Sequence, residues 1–537
     1  MSKYVIGIDY GTDSARAILV DALSGEILSG KTAAYPRWGK GLYSDAGESR
    51  FRQHPLDYLE VLETVLKGVI CDCPSKEDIL AISIDTTAST PCFCDETLTP
   101  LSLKEEFKED PDAMFIIWKD HTGMEESREI NALCHEKGYP YVCHCGNVYS
   151  AENYWSKVLH VVRTNEKVAA GAFAAIECCD WLTSVLTGCR DMTSLRPGHC
   201  CLGTKWMWAE EWGGFPPKSF FEELDPRLCR IALPEDNFGC DKAAGSLCTE
   251  WASRLGLSEN ILVGVGNIDS YSGAVGGGVR YGTMILNLGT SSCYMSVMPK
   301  EIYGTKVLDG VFAQVDGAIL PDQIGFEAGL SAFGDAYAWV KKLISWPLQK
   351  VKEKDPSLAE AIESDMIASL TEAASLLPER EDAPLATDYL NGRRCPFGDN
   401  SLTGTIQGLR LSTTAPELFR AFVEATCFAT RAIVDHLTKG GVEINRLVAV
   451  GGVAQKSPFV MQMLSDALDR PVEVSSAKDS CALGAAIHAA VIAGLYPSVE
   501  AAEDALCPPT SSRYEPHASE ILKKRYGKYL EMANLSL

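Results

Sequence analysis

Two short segments, roughly half a chain apart, constrain the fold more than any other feature of this sequence. The first runs Val5-Ile6-Gly7-Ile8-Asp9, then Tyr10-Gly11-Thr12-Asp13-Ser14, then Ala15-Arg16-Ala17-Ile18-Leu19-Val20. The second runs Met284-Ile285-Leu286-Asn287, then Leu288-Gly289-Thr290-Ser291-Ser292, then Cys293-Tyr294-Met295-Ser296-Val297. Each sets Gly-Thr-x-Ser between two apolar strands. Glycine permits a turn with positive φ or a close approach of backbone to ligand, and Thr and Ser add hydroxyls beside exposed N–H groups. Either turn alone reads as an ordinary hairpin. The pair predicts an internal duplication: two α/β domains, each opening on a hairpin that faces phosphate. A chain of 537 residues has room for both.

Around the hairpins, strands alternate with helices. A strand over 79–85 ends in Asp85-Thr86-Thr87-Ala88-Ser89-Thr90, and Pro91-Cys92-Phe93-Cys94 returns. The spacing of Leu418, Phe422, Ala425, Phe428, Ala429, Ala432, Ile433 and Leu437 predicts a helix over 416–437. Further strands are expected over 446–450 and 471–475, with Ser457 as the N-cap of the helix between them. A small-residue helix is expected over 482–495. The segment 351–384 reads as a charged, solvated helix. The boundary is placed at 280/281, giving an N-terminal unit (1–280) and a C-terminal unit (281–537).

Lys plus Arg is 49 and Asp plus Glu is 72, a net charge of −23, which argues against nucleic acid or an anionic membrane as partner. A small anion remains possible, because a few backbone N–H groups build such a site locally. The longest uncharged stretch, which includes Cys481 to Val499, contains His488 and Pro497 and reads as a buried helix. The twenty cysteines include Cys143-His144-Cys145 but no C-x-x-C pair, and read as free thiols of a cytoplasmic protein. A Walker A loop fails at Gln455 in Gly451-Gly452-Val453-Ala454-Gln455-Lys456-Ser457. No dinucleotide fingerprint or G-x-S-x-G elbow is present.

What remains is a phosphate site built from two hairpins and a helix start. Asp9, at a strand end beside Gly11, could hold Mg²⁺ or could simply cap its turn. Asp269 ends an apolar stretch and precedes Ser270, Ser272, Gly273 and Ala274. It could approach a substrate hydroxyl or serve as a helix N-cap.

These segments resemble the FGGY carbohydrate kinases, a branch of the actin-like, ribonuclease-H-like ATPase superfamily. The resemblance rests on 7–16, on Gly266-Asn267-Ile268-Asp269, and on Leu288-Gly289-Thr290-Ser291-Ser292. It continues through Gly404-Thr405-Ile406-Gln407-Gly408-Leu409, Ala449-Val450-Gly451-Gly452 and Ala482-Leu483-Gly484-Ala485-Ala486, in order along nearly the whole chain. Within the family it is strongest to the branch acting on L-ribulose. The pointers are Tyr35-Pro36-Arg37-Trp38, Trp118-Lys119-Asp120-His121, Trp212-Gly213-Gly214-Phe215-Pro216-Pro217, Gly325-Phe326-Glu327-Ala328-Gly329 and Asn391-Gly392-Arg393-Arg394, together with the 85–91 segment. Two positions depart from the wider family: His160 stands where a Trp is usual, and Phe422 where a small or aliphatic residue is.

The resemblance implies an α/β fold of two actin-like ATPase domains flanking a nucleotide and sugar cleft. It implies an ATP-dependent, Mg²⁺-requiring kinase that phosphorylates the terminal hydroxyl of a ketopentose, L-ribulose to its 5-phosphate, in L-arabinose breakdown. Nucleotide contacts would come from Gly11, Thr12, Ser14, Arg16, Gly289, Thr290, Gly451 and Gly452, and metal contact from Asp9. Asp269 would be the base, and Ala88, Trp118, Lys205, Asp269 and Glu327 would bind the sugar. Taken by itself, Lys205 reads as a surface lysine. The partners implied are a free sugar and ATP, with a homodimer left open. The competing readings are another kinase of the family (acting on D-ribulose, xylulose, glycerol or gluconate), an actin-like filament or chaperone ATPase, and a non-catalytic sugar-binding regulator.

Overall fold

Each of the two predicted hairpins forms and seeds a sheet. The computed structural model describes residues 2–536. In the first sheet, β1 (Tyr4–Tyr10) pairs antiparallel with β2 (Ser14–Asp21), which pairs antiparallel with β3 (Ile27–Ala34). On the other side of β1 lies β4 (Ile79–Thr86), parallel to it. The sheet is completed by β5 (Ala243–Ser246), β6 (Leu262–Gly264) and the short β7 (Asn267–Ile268). Its order is β5-β6-β4-β1-β2-β3, with β7 pairing on β4 beyond β6.

The second sheet repeats the plan. Its strands are β8 (Gly282–Leu288), β9 (Ser292–Pro299), β10 (Ala313–Asp316), β11 (Gln323–Leu330), β12 (Ile444–Val450), β13 (Val472–Ser475) and β14 (Thr510–Tyr514). They run in the order β10-β11-β9-β8-β12-β13-β14. The hairpin strand β8 again has an antiparallel partner on one side and the parallel pair β12, β13 on the other. An antiparallel strand closes each sheet beyond that pair: β5 in the first, β14 in the second. The duplication read from two turns therefore extends across both sheets. The turns themselves differ by one residue. Tyr10 pairs with Ala15 across the first, and Leu288 with Ser292 across the second.

Helices cover the sheets, and those predicted over 416–437 and 482–495 are among them. Helix α1 (Pro55–Cys71) buries Val61, Leu62, Val65, Leu66 and Val69 and packs on β2 and β3. Between β4 and β7 the chain adds α2 (Tyr154–Thr164) and α3 (His199–Lys205), and α4 (Asp269–Gly276) starts directly after β7. Helix α5 (Ala415–Lys439) begins at a capping box between Thr414 and Glu417, with Pro416 in its first turn. Phe422 lies on its core face against Trp339. Helix α6 (Ser480–Ile492) is the predicted small-residue helix.

The use of α6 could not be foreseen. It comes from the C-terminal part of the chain, yet packs on β1, β4 and α4 of the first unit. Glycines allow this: a Cβ at Gly7 would overlap the Ala482 carbonyl oxygen, and one at Gly484 would overlap that of Ser272. Arg16 of β2 pairs with Asp479 at the start of α6.

Two local expectations hold in part. Ser457 is the N-cap of the helix Pro458–Leu468, but its side chain makes no capping hydrogen bond and its hydroxyl is buried without a partner. The segment 351–384 holds the helix Pro356–Ser375, exposed along most of its length but seated through Ala359, Leu370 and Ala374. Among the described residues, no helix is long and apolar enough to cross a membrane.

Candidate active site

Register brings three carboxylates to the C-terminal edge of the first sheet. The parallel pairing of β1 with β4 sets Asp9 beside Asp85, and β7 on β4 sets Asn267 beside Asp85. Two residues further, Asp269 opens α4. The crevice outside the carboxyl ends of parallel strands is where open α/β sheets place ligands. Asp269 is not the helix N-cap, which is Ile268; its Oδ1 accepts from the next backbone N–H, that of Ser270, at 2.6 Å.

These acids lie close together and largely without counter-charge. Burial pushes Asp9 up to about 6, against the pull of Asp85 and Arg16. Burial, then the charge of Asp9, pushes Asp269 up to about 8. Asp85 is fully buried and no hydrogen bond of ordinary geometry reaches either of its oxygens. Burial and the charges of Asp9 and Asp269 raise it well above the usual carboxylate range. The sequence reading assigned Asp85 no role, because only the strand register places it next to Asp9.

Beside this edge lies a cavity of about 220 Å³. Thr12, Ala88, Trp118, Lys205, Asp269, Gly289, Thr290 and Glu327 all line it, although they come from seven separate stretches of chain. Lys205 is not a surface lysine: its side chain is 3% exposed and its Nζ lies 3.2 Å from Glu327. Burial works against its charge, but Glu327 outweighs it and the ammonium is held above its ordinary value. The Tyr271 hydroxyl donates to the same Glu327 oxygen at 2.8 Å. Trp118 donates from its indole to the Thr12 hydroxyl at 3.0 Å, so the Trp118 wall and the first glycine turn touch.

Glu152, Phe312 and Arg394 are also among the lining residues. Arg394 forks onto both oxygens of Glu152 at 3.2 Å, and both Arg394 and Lys205 lie over the Phe312 ring. Burial opposes the Glu152 charge, but Arg394 and His121 outweigh it and hold the carboxyl down to about 2. Behind the wall, Lys157 of α2 is fully buried and donates to the carbonyls of Ser89 at 2.6 Å and Ile117 at 3.0 Å. Those carbonyls adjoin Ala88 and Trp118. Glu177 holds the same loop, accepting from the Ser89 hydroxyl at 2.8 Å and the Thr90 N–H at 2.7 Å.

The remaining expected residues lie outside this cavity's lining. Gly11 donates its N–H within its own turn, to Ser14, as Gly289 of the lining does to Ser291. Ser14 opens β2, and Arg16 sits across the hairpin from Asp9. Gly451 follows β12 with a φ of 94°, and a Cβ there would lie 2.7 Å from the Leu288 carbonyl oxygen. A Cβ on Gly452 would meet nothing within 4 Å. The protein itself demands a glycine at 451, while 452 faces open space.

Residues 284–493 match the profile described as "FGGY family of carbohydrate kinases, C-terminal domain". A ribulokinase from Vibrio parahaemolyticus is 39% identical over 540 residues, covering 99% of this chain and 95% of that protein. The chain belongs to the FGGY family of carbohydrate kinases. A second relative of this kinase, a ribulokinase from Halalkalibacterium halodurans, is 33% identical and covers 99% of the chain and 94% of its own length. Among solved structures, a xylulose kinase from Rhodospirillum rubrum superposes with a TM-score of 0.77 at 20% identity, covering 99% of this chain and 98% of that one. The kinase therefore has the two-domain, actin-like and ribonuclease-H-like fold, and it transfers phosphate from ATP to an alcohol group of a carbohydrate.

Proposed function

We propose that this kinase phosphorylates the terminal hydroxyl of L-ribulose, giving L-ribulose 5-phosphate. The observation that carries the reading is the convergence of eight expected residues on one small cavity, in a chain similar to ribulokinases along its whole length. The Lys205–Glu327 pair and Trp118 offer a donor, an acceptor and an apolar wall to a polyol. Asp269 sits in the same lining with one oxygen occupied by the Ser270 N–H, which leaves the other to accept the sugar's proton. Arg394 and Glu152 add a further charged pair to the lining.

The nucleotide lies along the two hairpin turns. Thr12 and Thr290 turn N–H and hydroxyl donors to its phosphates, Gly11 and Gly289 close the turns with their own N–H groups and keep them free of side chains, Ser14 and Arg16 flank them, and Gly451 and Gly452 let the chain pass close to the nucleoside. The donor set suits Mg²⁺: acidic side chains at the sheet edge are short of counter-charge, and among the described residues no cluster of three or more ligands forms a protein cage. Mg²⁺ characteristically takes one or two carboxylates and completes its shell with water and phosphate. Asp9 would hold it, and when bound it neutralises charge on the transferring group. Phosphoryl transfer asks the protein mainly for positioning and electrostatics, which is what this lining supplies.

ADP release measured over L-ribulose, D-ribulose, L- and D-xylulose, glycerol and gluconate tests the assignment. L-Ribulose should give the highest kcat/KM. A higher value for any other member, or ATP turnover indifferent to sugar, would overturn it.

A further inference from the structure

A second cavity, of about 660 Å³ against about 220 Å³ for the catalytic one, opens between the two units, and none of the glycine-turn residues lines it. One wall comes from 140–144, 199 and 208–242; the other comes from 300–307 and 314–324. Trp212, first residue of the Trp-Gly-Gly-Phe-Pro-Pro segment, lines it, and so does Trp208. Trp212 lies against His144 with ring centroids 5.3 Å apart, and Trp208 stands edge-on to His199 at 5.1 Å. His144 Nδ1 and Asp316 Oδ1, on two lining residues, are buried and have no hydrogen-bond partner. Buried polar atoms are nearly always satisfied, so both call for a partner.

The lining chemistry selects the ligand. A sugar presents a C–H face and a rim of hydroxyls, which matches indole faces beside carboxylate, amide and imidazole groups. Five carboxylates (Glu210, Glu211, Asp241, Asp316 and Asp322) face three lysines (Lys242, Lys300 and Lys306), which disfavours a phosphorylated or carboxylated guest. We propose that this cavity is a second carbohydrate site, taking an uncharged sugar or polyol, and that its occupancy alters the catalytic cavity's affinity for its own sugar through α3.

Helix α3 spans the two sites. His199, at its first residue, lines the larger cavity, and its Nε2 meets the Asp316 carbonyl of β10 at 2.6 Å. Lys205, at its last residue, lines the catalytic cavity and pairs with Glu327 of β11. Strands β10 and β11 are neighbours, with Ala313 opposite Glu327. Gly203 seats the helix on β10 so closely that a Cβ would lie 2.5 Å from Val315 Cγ1. A guest touching both walls fixes α3 against β10, and with it the distance between Lys205 and Glu327. Since the walls belong to different units, a guest that touches both would bind less well to any arrangement that parts them, and such differential affinity is what coupling requires.

The test is titration calorimetry on the full chain without ATP, with L-ribulose saturating the catalytic cavity. The probes are L-arabinose, ribitol, D-glucose and sucrose, with D-glucose 6-phosphate as the anionic comparison. At least one uncharged probe should bind with a stoichiometry of one. Trp212→Ala should weaken that binding about tenfold or more, as truncation of a buried aromatic anchor does. Asp241→Asn, a near-isosteric change that spares the packing, should weaken it too. In wild type the same probe should change the KM for L-ribulose about fivefold or more, the usual span of allosteric coupling. That change should vanish in both variants while their probe-free kcat stays at the wild-type value. Binding by none of the uncharged probes, tighter binding by the sugar phosphate, full binding in both variants, or binding without an effect on KM would each overturn the proposal.

Discussion

Asp269→Asn should make the kinase inactive and more stable at once. In the free protein, burial and the nearby Asp9 charge move this carboxyl from an ordinary 3.8 to about 8. Each tenfold change in proton affinity corresponds to about 1.4 kcal/mol, so holding the group ionised costs on the order of 5 kcal/mol at pH 8 and above. The sign follows from linkage. A folded-state pKa raised above the unfolded value leaves its contribution to stability intact below about pH 4 and removes it progressively as pH rises to about 8. An amide keeps the acceptor for the Ser270 N–H but has nothing to ionise. Relaxation and water entry shrink the realised gain to about 1–3 kcal/mol, a rise in Tm of several degrees. The assay is calorimetric melting of wild type and variant, free of nucleotide and metal, at pH 5.5 and pH 8. The variant's advantage should be larger at pH 8. In parallel its kcat on L-ribulose should fall on the order of 10²–10⁴-fold, the usual loss for a general base. Equal melting at both pH values, or an advantage greatest at pH 5.5, would refute the electrostatic reasoning; a near-normal kcat would remove Asp269 from the base role.

The paired glycines should separate folding from nucleotide binding. Gly451→Ala strains a position at φ 94° against the Leu288 carbonyl and should lower stability by about 1–3 kcal/mol in a denaturant titration. Gly452→Ala should melt like wild type and raise the KM for ATP; an unchanged ATP KM would take 452 out of the nucleotide site. Lys205→Met leaves Glu327 buried without its cation and should destabilise by about 3–5 kcal/mol, with the Lys205→Met, Glu327→Gln double variant recovering most of the loss. A double variant no more stable than the single one would contradict the pairing. Lys157→Met should raise the KM for sugar with little change in that for ATP, since its carbonyl partners adjoin Ala88 and Trp118. Parallel increases in both would point to general loosening.

What the sequence made legible is local, and what it hid depends on contacts between distant residues. The hairpins were readable because the glycine turn and both apolar strands fall within about 16 consecutive residues each. The 415–439 helix was readable, as 416–437, from one amphipathic stripe; its capping box came only with the structure. Lys205 looked like a surface residue because the carboxylate that keeps it charged lies on β11, 122 residues away. Asp85 was visible as the end of a strand, but its place beside Asp9 follows from register, which a single strand does not carry. The small-residue character of α6 was clear; that Gly7, Gly276 and Gly484 dock it on the first unit was not, since small residues signal close approach without naming a partner. Ser457 shows the converse: a favourable capping residue whose side chain the surrounding fold leaves unused.

The most direct test of the account is ³¹P and ¹³C NMR of the mixture formed from ATP, Mg²⁺ and L-ribulose. The account predicts one phosphomonoester, with its phosphorus coupled to the terminal carbon C5, formed in step with ADP by the wild type and absent on the same timescale with Asp269→Asn. Orthophosphate in place of a sugar ester, a phosphate on another carbon, or equal ester formation by the variant would contradict it.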